Sequence, residues 1–380
     1  MFFFFRKFFI LLALVGTITP CLAISENNYA QTYSNAVIPF LNSGQRFNFP
    51  SADGKYALSG IRFLHPHAKG MIVVINGRAQ STLNYAELFY DLYRQGYSVI
   101  SYDHRGQGLS PHLVPANSQI GHIEHLSDYS ADLNTFMEQV VKPLHRSSKS
   151  LFLIAHSMGA AVATEYLETH TTPPPFEAAV FCAPMYQINT APYPERLAHF
   201  IVGSLQTLGL GRHYAPGEHD YNPQEPFSKN KVTHSLIRWQ QMQQIKNDYP
   251  SALIAGASSS WVNTSLSTTR MIRARESAIT VPTLILEAGE DQFVINQAET
   301  RAGQIIPQCQ LRAFPTAKHE ILMESDPIRT QALREILRFL KDGNPTKGES
   351  LYSIRSGRKI SLLKLRHIVP GDGNRPGTLG

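Results

Sequence analysis

Cysteine is scarce in this chain, which has only three in 380 residues. Cys21 lies in the N-terminal segment, and we predict that Cys182 and Cys309 lie on strands that are not neighbours in a sheet. Two cysteines cannot build the disulfide framework of a small secreted domain. We therefore expect two unpaired, buried thiols rather than a bridge.

Charge is also low. Charged residues make up 17% of the chain and hydrophobic residues 43%, which allows a large buried core and excludes global disorder. The net charge of +6 comes from the two ends: residues 345–380 hold seven Lys and Arg against two acidic residues, and the first 23 residues add two more. The remainder is nearly neutral, so a basic nucleic-acid-binding face is not expected.

Motifs for cofactors are absent as well. The chain has no glycine-rich phosphate-binding loop, no paired-cysteine zinc spacing and no HExxH sequence. The sequence therefore predicts chemistry carried out by side chains alone, without a cofactor or a metal.

The first 23 residues are typical of a signal peptide. Two basic residues precede an apolar run at 8–18, and small residues around Ala23 mark a cleavage point. The run is short of the about 20 apolar residues that a membrane-spanning helix needs. We expect an exported protein, periplasmic or secreted; the alternative is an uncleaved N-terminal anchor, favoured by the phenylalanine run at the start.

Short apolar runs alternate with amphipathic segments of helical length. This pattern predicts a mostly parallel sheet with helices on both faces, within an α/β core. The predicted strands are residues 71–75, 98–102, 150–155, 178–182, 283–287 and 310–314. The predicted helices are residues 85–94, 128–141, 158–169, 295–305 and 327–340.

The alternation stops within the chain and then resumes. We assign residues 24–185 and 278–343 to the core, and residues 186–277 to an inserted, mainly helical cap, or lid. An insertion at this point is expected over the carboxyl edge of the sheet, where open α/β folds bind ligands. The alternative is a packing subdomain without a role in substrate choice.

Residues 344–380 form a basic, Gly-, Pro- and Ser-rich tail that we expect to be flexible. Within it, residues 354–369 mix apolar and basic side chains, which suits contact with an anionic membrane surface. The alternative is a solvated tail without a role.

Ser157 is the candidate nucleophile. It stands in the sequence Ala155-His156-Ser157-Met158-Gly159, between a predicted strand and a predicted helix. A strand-to-helix elbow exposes the serine hydroxyl, and its tight geometry requires small residues two positions before and after. Ala155 replaces the more usual glycine. The alternative is an ordinary serine in a strand-to-helix loop.

A serine hydroxyl needs a neighbouring base and a group that orients the base. Asp291 follows a predicted buried strand, and His319 lies between the last strand and the last helix, which gives the order Ser, Asp, His. Glu290 is a rival for Asp291. His156 adjoins the nucleophile, but we expect its side chain to point away from Ser157 Oγ and to be structural.

The tetrahedral intermediate requires two donors that face its oxyanion. The backbone N–H of Met158, directly after the nucleophile, is the first candidate. The second is the backbone N–H of Arg78, in the loop after strand 71–75, where Gly77 allows the backbone to turn close to the site.

Together these segments resemble the bacterial lysophospholipase branch of the monoacylglycerol lipase family, over about residues 30–340. The residues that carry the resemblance are the elbow 155–159, 103–110 (DHRGQGLS), Asp128-Tyr129 with Asp132-Leu133, 183–185 (APM) and 319–322 (HEIL).

The resemblance implies an α/β-hydrolase fold in which the cap forms an acyl tunnel. It also implies a catalytic triad of Ser157, Asp291 and His319, with Arg78 and Met158 as oxyanion donors. The expected reaction is hydrolysis of fatty acyl esters of lysophospholipids or monoacylglycerols through an acyl-enzyme. The alternatives are a carboxylesterase for short soluble esters, a peptidase or transacylase, and a lipid-binding protein without turnover.

Two further matches and two departures concern the surroundings of the site. Asp103 and Arg105 match residues that brace the loop beside it. Asn76 stands where the family often has His, and Gln292 where an Arg is common. These departures bear on the substrate rather than on the mechanism.

Overall fold

The computed structural model describes residues 23–145, 149–170 and 173–342. The predicted signal peptide, apart from Ala23, and the predicted basic tail lie outside these described residues. No helix in the described ranges is both long enough and apolar enough to cross a membrane.

Eight strands form one sheet in the order β1-β2-β4-β3-β5-β6-β7-β8. The six strands from β3 to β8 are parallel, whereas β2 pairs antiparallel with both β1 and β4. The strands are β1 Gln45–Pro50, β2 Ala57–Phe63, β3 Gly70–Ile75, β4 Ser98–Tyr102, β5 Ser150–His156, β6 Ala178–Cys182, β7 Thr283–Ala288 and β8 Cys309–Phe314. The six predicted strands are thus confirmed, and the prediction of a mostly parallel sheet with them.

Strands β1 and β2 were not predicted from the sequence. Strand β1 is at the edge of the sheet and pairs only with β2, and most of its side chains are exposed. It therefore lacks the apolar run that marks a strand buried on both faces.

Eleven α-helices are found in the described ranges, and each of the five predicted helices corresponds to one of them. Two π-helical stretches, Tyr33–Val37 and Met137–Val141, link successive helices. The second forms the last five residues of the predicted helix 128–141. The helices are α1 Tyr29–Thr32, α2 Ile38–Ser43, α3 Ala86–Arg94, α4 Ser127–Phe136, α5 Lys142–Leu144, α6 Met158–Thr169, α7 Glu195–Thr207, α8 Leu236–Asp248, α9 Ser259–Arg275, α10 Asn296–Ile305 and α11 Asp326–Asp342.

The core has two layers, one on each face of the sheet. Alternate side chains of β3 point to opposite faces: Val73 and Ile75 pack with residues of α4 and α6, and Ile72 and Val74 pack with residues of α3 and α11. Because both faces are covered, every residue of β3 is buried.

The strand order places the site. Strand β3 lies between β4 and β5, so the chain leaves β3 towards one side of the sheet and returns on the other. The carboxyl ends of β3 and β5 therefore flank a topological switch point, where open α/β sheets bind ligands.

The inserted segment 186–277 contains α7, α8 and α9 and packs against the loop that follows β8. The backbone N–H of Glu320 donates to the carbonyl of Val232 at 2.8 Å, and Lys318 Nζ donates to the carbonyl of Asn230 at 3.0 Å. The role of this segment as a lid stays a prediction.

Cys182 ends β6 and Cys309 begins β8, with β7 between them. Both are free cysteines. Cys182 is buried and Cys309 is partly exposed, so two unpaired thiols on non-adjacent strands are confirmed and full burial of the second is not.

Candidate active site

Ser157 lies at a sharp turn between β5 and α6. Its backbone has φ +52° and ψ −118°, in the region that non-glycine residues rarely adopt. Two backbone hydrogen bonds hold it there: its N–H donates to the carbonyl of Cys182 at 3.0 Å, and its carbonyl accepts from the N–H of Met185 at 3.1 Å. This strained serine has the conformation of a nucleophile elbow.

Gly159 explains why the elbow needs a small residue. A Cβ atom at this position would lie 2.4 Å from the carbonyl oxygen of Asn76 and 2.7 Å from that of Ile75. The first turn of α6 therefore packs directly on the backbone that leaves β3. Ala155, two positions before Ser157, is fully buried within β5.

His319 and Asp291 meet Ser157 at this edge. His319 Nε2 lies 2.8 Å from Ser157 Oγ, and His319 Nδ1 lies 2.6 Å from Asp291 Oδ2. The other oxygen of Asp291 accepts the backbone N–H groups of Phe293 (2.7 Å) and Val294 (3.1 Å). Both side chains are nearly or fully buried. The structure thus brings the three predicted residues into one hydrogen-bonded chain.

Glu290, the rival of Asp291, faces a different histidine. Its Oε2 lies 3.2 Å from His234 Nε2, and about half of its side chain is exposed. It makes no hydrogen bond to His319 within the described residues.

The electrostatic interaction between Asp291 and His319 favours an ionised Asp291 carboxylate and a proton on His319. Burial lowers the pKa of His319, but the hydrogen bond and charge of Asp291 and the charge of Glu320 outweigh it, so that the pKa is raised overall. Burial raises the pKa of Asp291, but the bond to His319 and the two backbone donors hold it below its usual value. Since a carboxylate accepts, Nδ1 carries a proton, and Nε2 is free to take one from Ser157 Oγ.

His156 has other partners, as expected for a structural residue. Its Nδ1 lies 3.2 Å from Gln80 Oε1, and its Nε2 lies 3.2 Å from the carbonyl oxygen of His319. Gln80 also donates from Nε2 to Glu320 Oε1 at 2.9 Å. These contacts join the loop after β3 to the loop that carries the catalytic candidate His319.

The two predicted oxyanion donors follow neighbouring strands: Arg78 follows β3 and Met158 follows β5. Met158 is the first residue of α6, so the helix itself offers its N–H no acceptor. The N–H of Gly77 donates to Gln80 Oε1 (3.1 Å) and that of Ala79 to Gln107 Oε1 (2.9 Å). Among the described residues, no acceptor is found for the intervening N–H of Arg78. This leaves both predicted donors available to an oxyanion.

Asp103 braces the loop after β3. Its buried carboxylate accepts from the N–H of Thr82 (2.6 Å), the N–H of Leu109 (2.8 Å) and Nδ2 of Asn76 (3.2 Å). Burial raises its pKa to about 6 despite these donors. Asn76, where the resemblance often has His, thus contacts a bracing residue rather than the triad.

Arg105 is held by a bidentate pair with Asp132, at 2.6 and 2.5 Å, with Asp53 at 3.3 Å. Bidentate Arg–carboxylate pairs fix orientation as well as charge. This pair ties the loop after β4 to α4.

Two neighbours of the candidate triad were not predicted from the sequence. The first is Gln80, whose bonds to Glu320 and His156 span the site. The second is Phe293, whose ring centroid lies 5.1 Å from that of His319 and whose side chain is partly exposed. Phe293 could have been found from its place two residues after Asp291, whereas no local sequence pattern identifies Gln80.

A Ser–His–Asp chain with an elbow at the carboxyl edge of a mostly parallel sheet defines a serine hydrolase with the α/β-hydrolase fold. Residues 66–326 match the family model Hydrolase_4, described as serine aminopeptidase, S33. The chain belongs to this family.

Two relatives are similar over most of their length. The "Probable lysophospholipase L2" of Haemophilus influenzae is 32% identical over 270 residues, which are 71% of this chain and 83% of the relative. The "Lysophospholipase L2" of Escherichia coli (strain K12) is 31% identical over 331 residues, 85% of this chain and 95% of the relative.

Solved structures share the fold at low identity. A soluble variant of monoglyceride lipase from Saccharomyces cerevisiae has a TM-score of 0.63 and 15% identity, over 80% of this chain and 96% of that one. A thermostable carboxyl esterase from Bacillus coagulans has a TM-score of 0.61 and 16% identity, over 79% and 98%.

Proposed function

We propose that this carboxylic ester hydrolase cleaves fatty acyl esters of lysophospholipids or monoacylglycerols, with Ser157, His319 and Asp291 as its catalytic triad. The observation that carries the proposal is the chain of two short hydrogen bonds, 2.8 Å from Ser157 Oγ to His319 Nε2 and 2.6 Å from His319 Nδ1 to Asp291 Oδ2.

In the first half of the reaction Ser157 Oγ attacks the ester carbonyl and gives its proton to His319 Nε2. The carbonyl π electrons move to oxygen, and the N–H groups of Arg78 and Met158 stabilise this oxyanion. Asp291 stabilises the imidazolium that forms. The intermediate then expels the glycerol oxygen, which takes the proton from His319, and an acyl ester remains on Ser157.

In the second half a water molecule replaces the glycerol. His319 takes a proton from the water as its oxygen attacks the acyl carbon. When the intermediate collapses, Ser157 Oγ leaves and recovers the proton. The products are a fatty acid and the free enzyme, without any cofactor.

Two observations support a lipid as the acyl donor. Both relatives carry names of lysophospholipases. The inserted segment also exposes large apolar side chains, which soluble proteins rarely cluster at a surface without a binding function. Five of them lie in or next to α7, namely Tyr193, Leu197, Phe200, Leu208 and Leu210, of which Phe200 and Leu208 are more than 70% exposed.

A panel of esters tests the substrate class. We expect the highest kcat/KM on lysophosphatidylcholine, lysophosphatidylethanolamine or long-chain monoacylglycerol, and falling values on p-nitrophenyl esters as the acyl chain shortens. A preference for acetate or butyrate esters, with no release of fatty acid from lysophospholipids, would instead assign the enzyme to the short-ester carboxylesterases.

The proposal includes export and a role for the tail. If cleavage follows Ala23, the mature chain begins at Ile24, whose carbonyl accepts from Arg238 Nη2 at 2.7 Å, so the new terminus is held by the folded body. N-terminal sequencing of the protein from its own cells tests this. We also propose that residues 344–380 contact anionic membranes; truncation after Gly343 should weaken binding to anionic vesicles without changing hydrolysis of a soluble ester.

A further inference from the structure

We infer that the side chain of Arg78 is a positioning group. Its contacts with the inserted segment fix the orientation of the backbone N–H of the same residue, so that this N–H points towards the oxyanion. The inference rests on the proposed function, because it concerns the oxyanion hole of that reaction. Arg78 thus joins two parts of the chain: its N–H belongs to the site, and its guanidinium belongs to the contact with the insertion.

The partners of the guanidinium all come from the inserted segment. Arg78 Nη1 donates to the carbonyl of Ala255 at 2.8 Å, across 177 positions in sequence. Nη2 lies 3.5 Å from Glu218 Oε2, and the Arg78 guanidinium lies 5.1 Å from the centre of the Trp261 ring. We call these three partners the clasp. About three-quarters of the Arg78 side chain is buried in it.

The clasp is itself fixed in position. The N–H of Ala255 donates to the carbonyl of Gln119 at 2.8 Å, which ties this segment to the core. Glu218 Oε2 accepts the N–H of Ala257 at 2.7 Å. A guanidinium held on a fixed carbonyl, carboxylate and ring has little freedom, and the backbone to which it is attached is restrained with it.

The backbone of residues 77–79 needs a restraint of this kind. Gly77 precedes Arg78 and gives the peptide between them rotational freedom. Ala79 follows with a positive φ of +58°. The N–H groups of both neighbours are anchored to side chains, whereas no side chain in the described part of the chain accepts the N–H of Arg78, which must stay free to donate to the oxyanion. The contacts of the guanidinium are therefore what restrains the direction of the Arg78 N–H.

The consequence is that the oxyanion hole is complete only when the insertion is in place. If the inserted segment moves away from the core, Arg78 loses all three partners of the clasp together. Hydrolysis is then coupled to the position of the inserted segment, and an enzyme without these contacts is a poor catalyst even with Ser157, His319 and Asp291 intact.

Arg78→Ala tests the clasp, because it keeps the backbone N–H and removes only the guanidinium that contacts the clasp. We expect kcat for p-nitrophenyl butyrate to fall about 10- to 100-fold, somewhat less than the 10²–10³-fold cost of deleting an oxyanion donor. KM should stay within about threefold. The inhibition constant of an alkylboronic acid, which forms a tetrahedral adduct on serine, should rise by a similar factor to the fall in kcat.

Glu218→Gln tests the same contact from the inserted segment and decides the matter if Arg78→Ala does not fold. It should lower kcat about two- to tenfold at unchanged KM. The matched control is Arg212→Ala, since Arg212 also bridges the insertion to the core, through an exposed pair with Glu124 at 3.3 Å. This control should keep kcat within about twofold.

Several results would overturn the inference. One is a folded Arg78→Ala enzyme whose kcat and boronic acid inhibition stay within about twofold of the parent. Another is a change in KM alone, which indicates substrate binding, or a loss of melting temperature alone, which indicates a structural role. Retained activity of Ser157→Ala would instead reject the proposed function, so the two failures are distinguishable.

Discussion

Glu290 and Asp291 are consecutive in sequence, but their carboxylates face different histidines. Asp291 Oδ2 lies 2.6 Å from His319 Nδ1, whereas Glu290 Oε2 lies 3.2 Å from His234 Nε2. The side chain of Asp291 is fully buried and that of Glu290 is about half exposed. Of two acids that are equivalent in a sequence pattern, only one is in contact with the base.

This difference predicts the effect of amide substitution at each position. Asp291→Asn should lower kcat about 10²- to 10⁴-fold, because an amide can donate to Nδ1 and so stabilise the wrong tautomer of His319. Glu290→Gln should lower it less than threefold. Steady-state kinetics on a soluble ester give both values, and the reverse order would transfer the acid role to Glu290.

The rate should rise with pH through the ionisation of His319, which accepts a proton only when neutral. Its pKa is raised above the usual value of about 6.5, so the midpoint of kcat/KM is expected above this value. Glu320→Gln removes a negative charge that raises the pKa of His319. The side-chain oxygen of the new glutamine can still accept the hydrogen bond from Gln80 Nε2. The midpoint should therefore shift to lower pH.

Glu290→Gln is the control for this shift and should leave the midpoint in place. A midpoint that moves upward in Glu320→Gln, or a rate independent of pH between about 5 and 8 with chemistry rate-limiting, would contradict the role of His319 as base.

Gly159 should tolerate no side chain. Gly159→Ala places a Cβ within 2.4 Å of the Asn76 carbonyl oxygen, so either the elbow or the end of β3 must shift. We expect a loss of about 1–3 kcal/mol in the free energy of unfolding, as for overpacking, and at least a tenfold loss of kcat. Gly203→Ala in α7 is the control, because its nearest contact is an ordinary 3.4 Å and Ala favours a helix. Equal, small effects at both positions would contradict this account.

Arg238 should anchor the inserted segment to the core. It is buried in α8 and lies 3.1 Å from both Glu87 and Asp326. Arg238→Met removes the arginine that contacts Asp326 and leaves Glu87 with Arg329 alone, and it should cost about 3 kcal/mol in urea unfolding. The control is Arg270→Met, whose side chain is half exposed and pairs with Glu195 at 3.1 Å; it should cost less than about 1 kcal/mol. Similar costs for the two variants would reject the anchor.

Two residues of the proposed triad could be predicted because each follows a strand that is buried on both faces. Such strands appear in sequence as apolar runs, and the polar residue that ends a run lies at the edge of the sheet. His319 follows β8, an edge strand whose side chains are mostly partly exposed, and was predicted instead from its place between that strand and the last helix. Ser157, after β5, and Asp291, after β7, satisfy the rule of a buried apolar run. Strand β1 does not, because its exposed side chains remove the apolar run.

Contacts between distant segments could not be predicted. The bond from Arg78 to Ala255 spans 177 positions and that from Gln80 to Glu320 spans 240. Neither has a local periodicity, since each depends on how the insertion and the last loop fold back over β3. The backbone of Arg78 was predicted from its place after a strand; the function of its side chain required the fold.

The central claim is that Ser157 carries the ester hydrolysis, and Ser157→Ala tests it most directly. Fatty acid release from lysophosphatidylcholine is measured for the parent, for Ser157→Ala and for Ser43→Ala, a control at an exposed serine. All three should have the same melting temperature within a few degrees. We predict that Ser43→Ala equals the parent and that Ser157→Ala loses activity by on the order of 10³-fold or more. A folded Ser157→Ala enzyme that keeps activity within about tenfold of the parent would contradict the account.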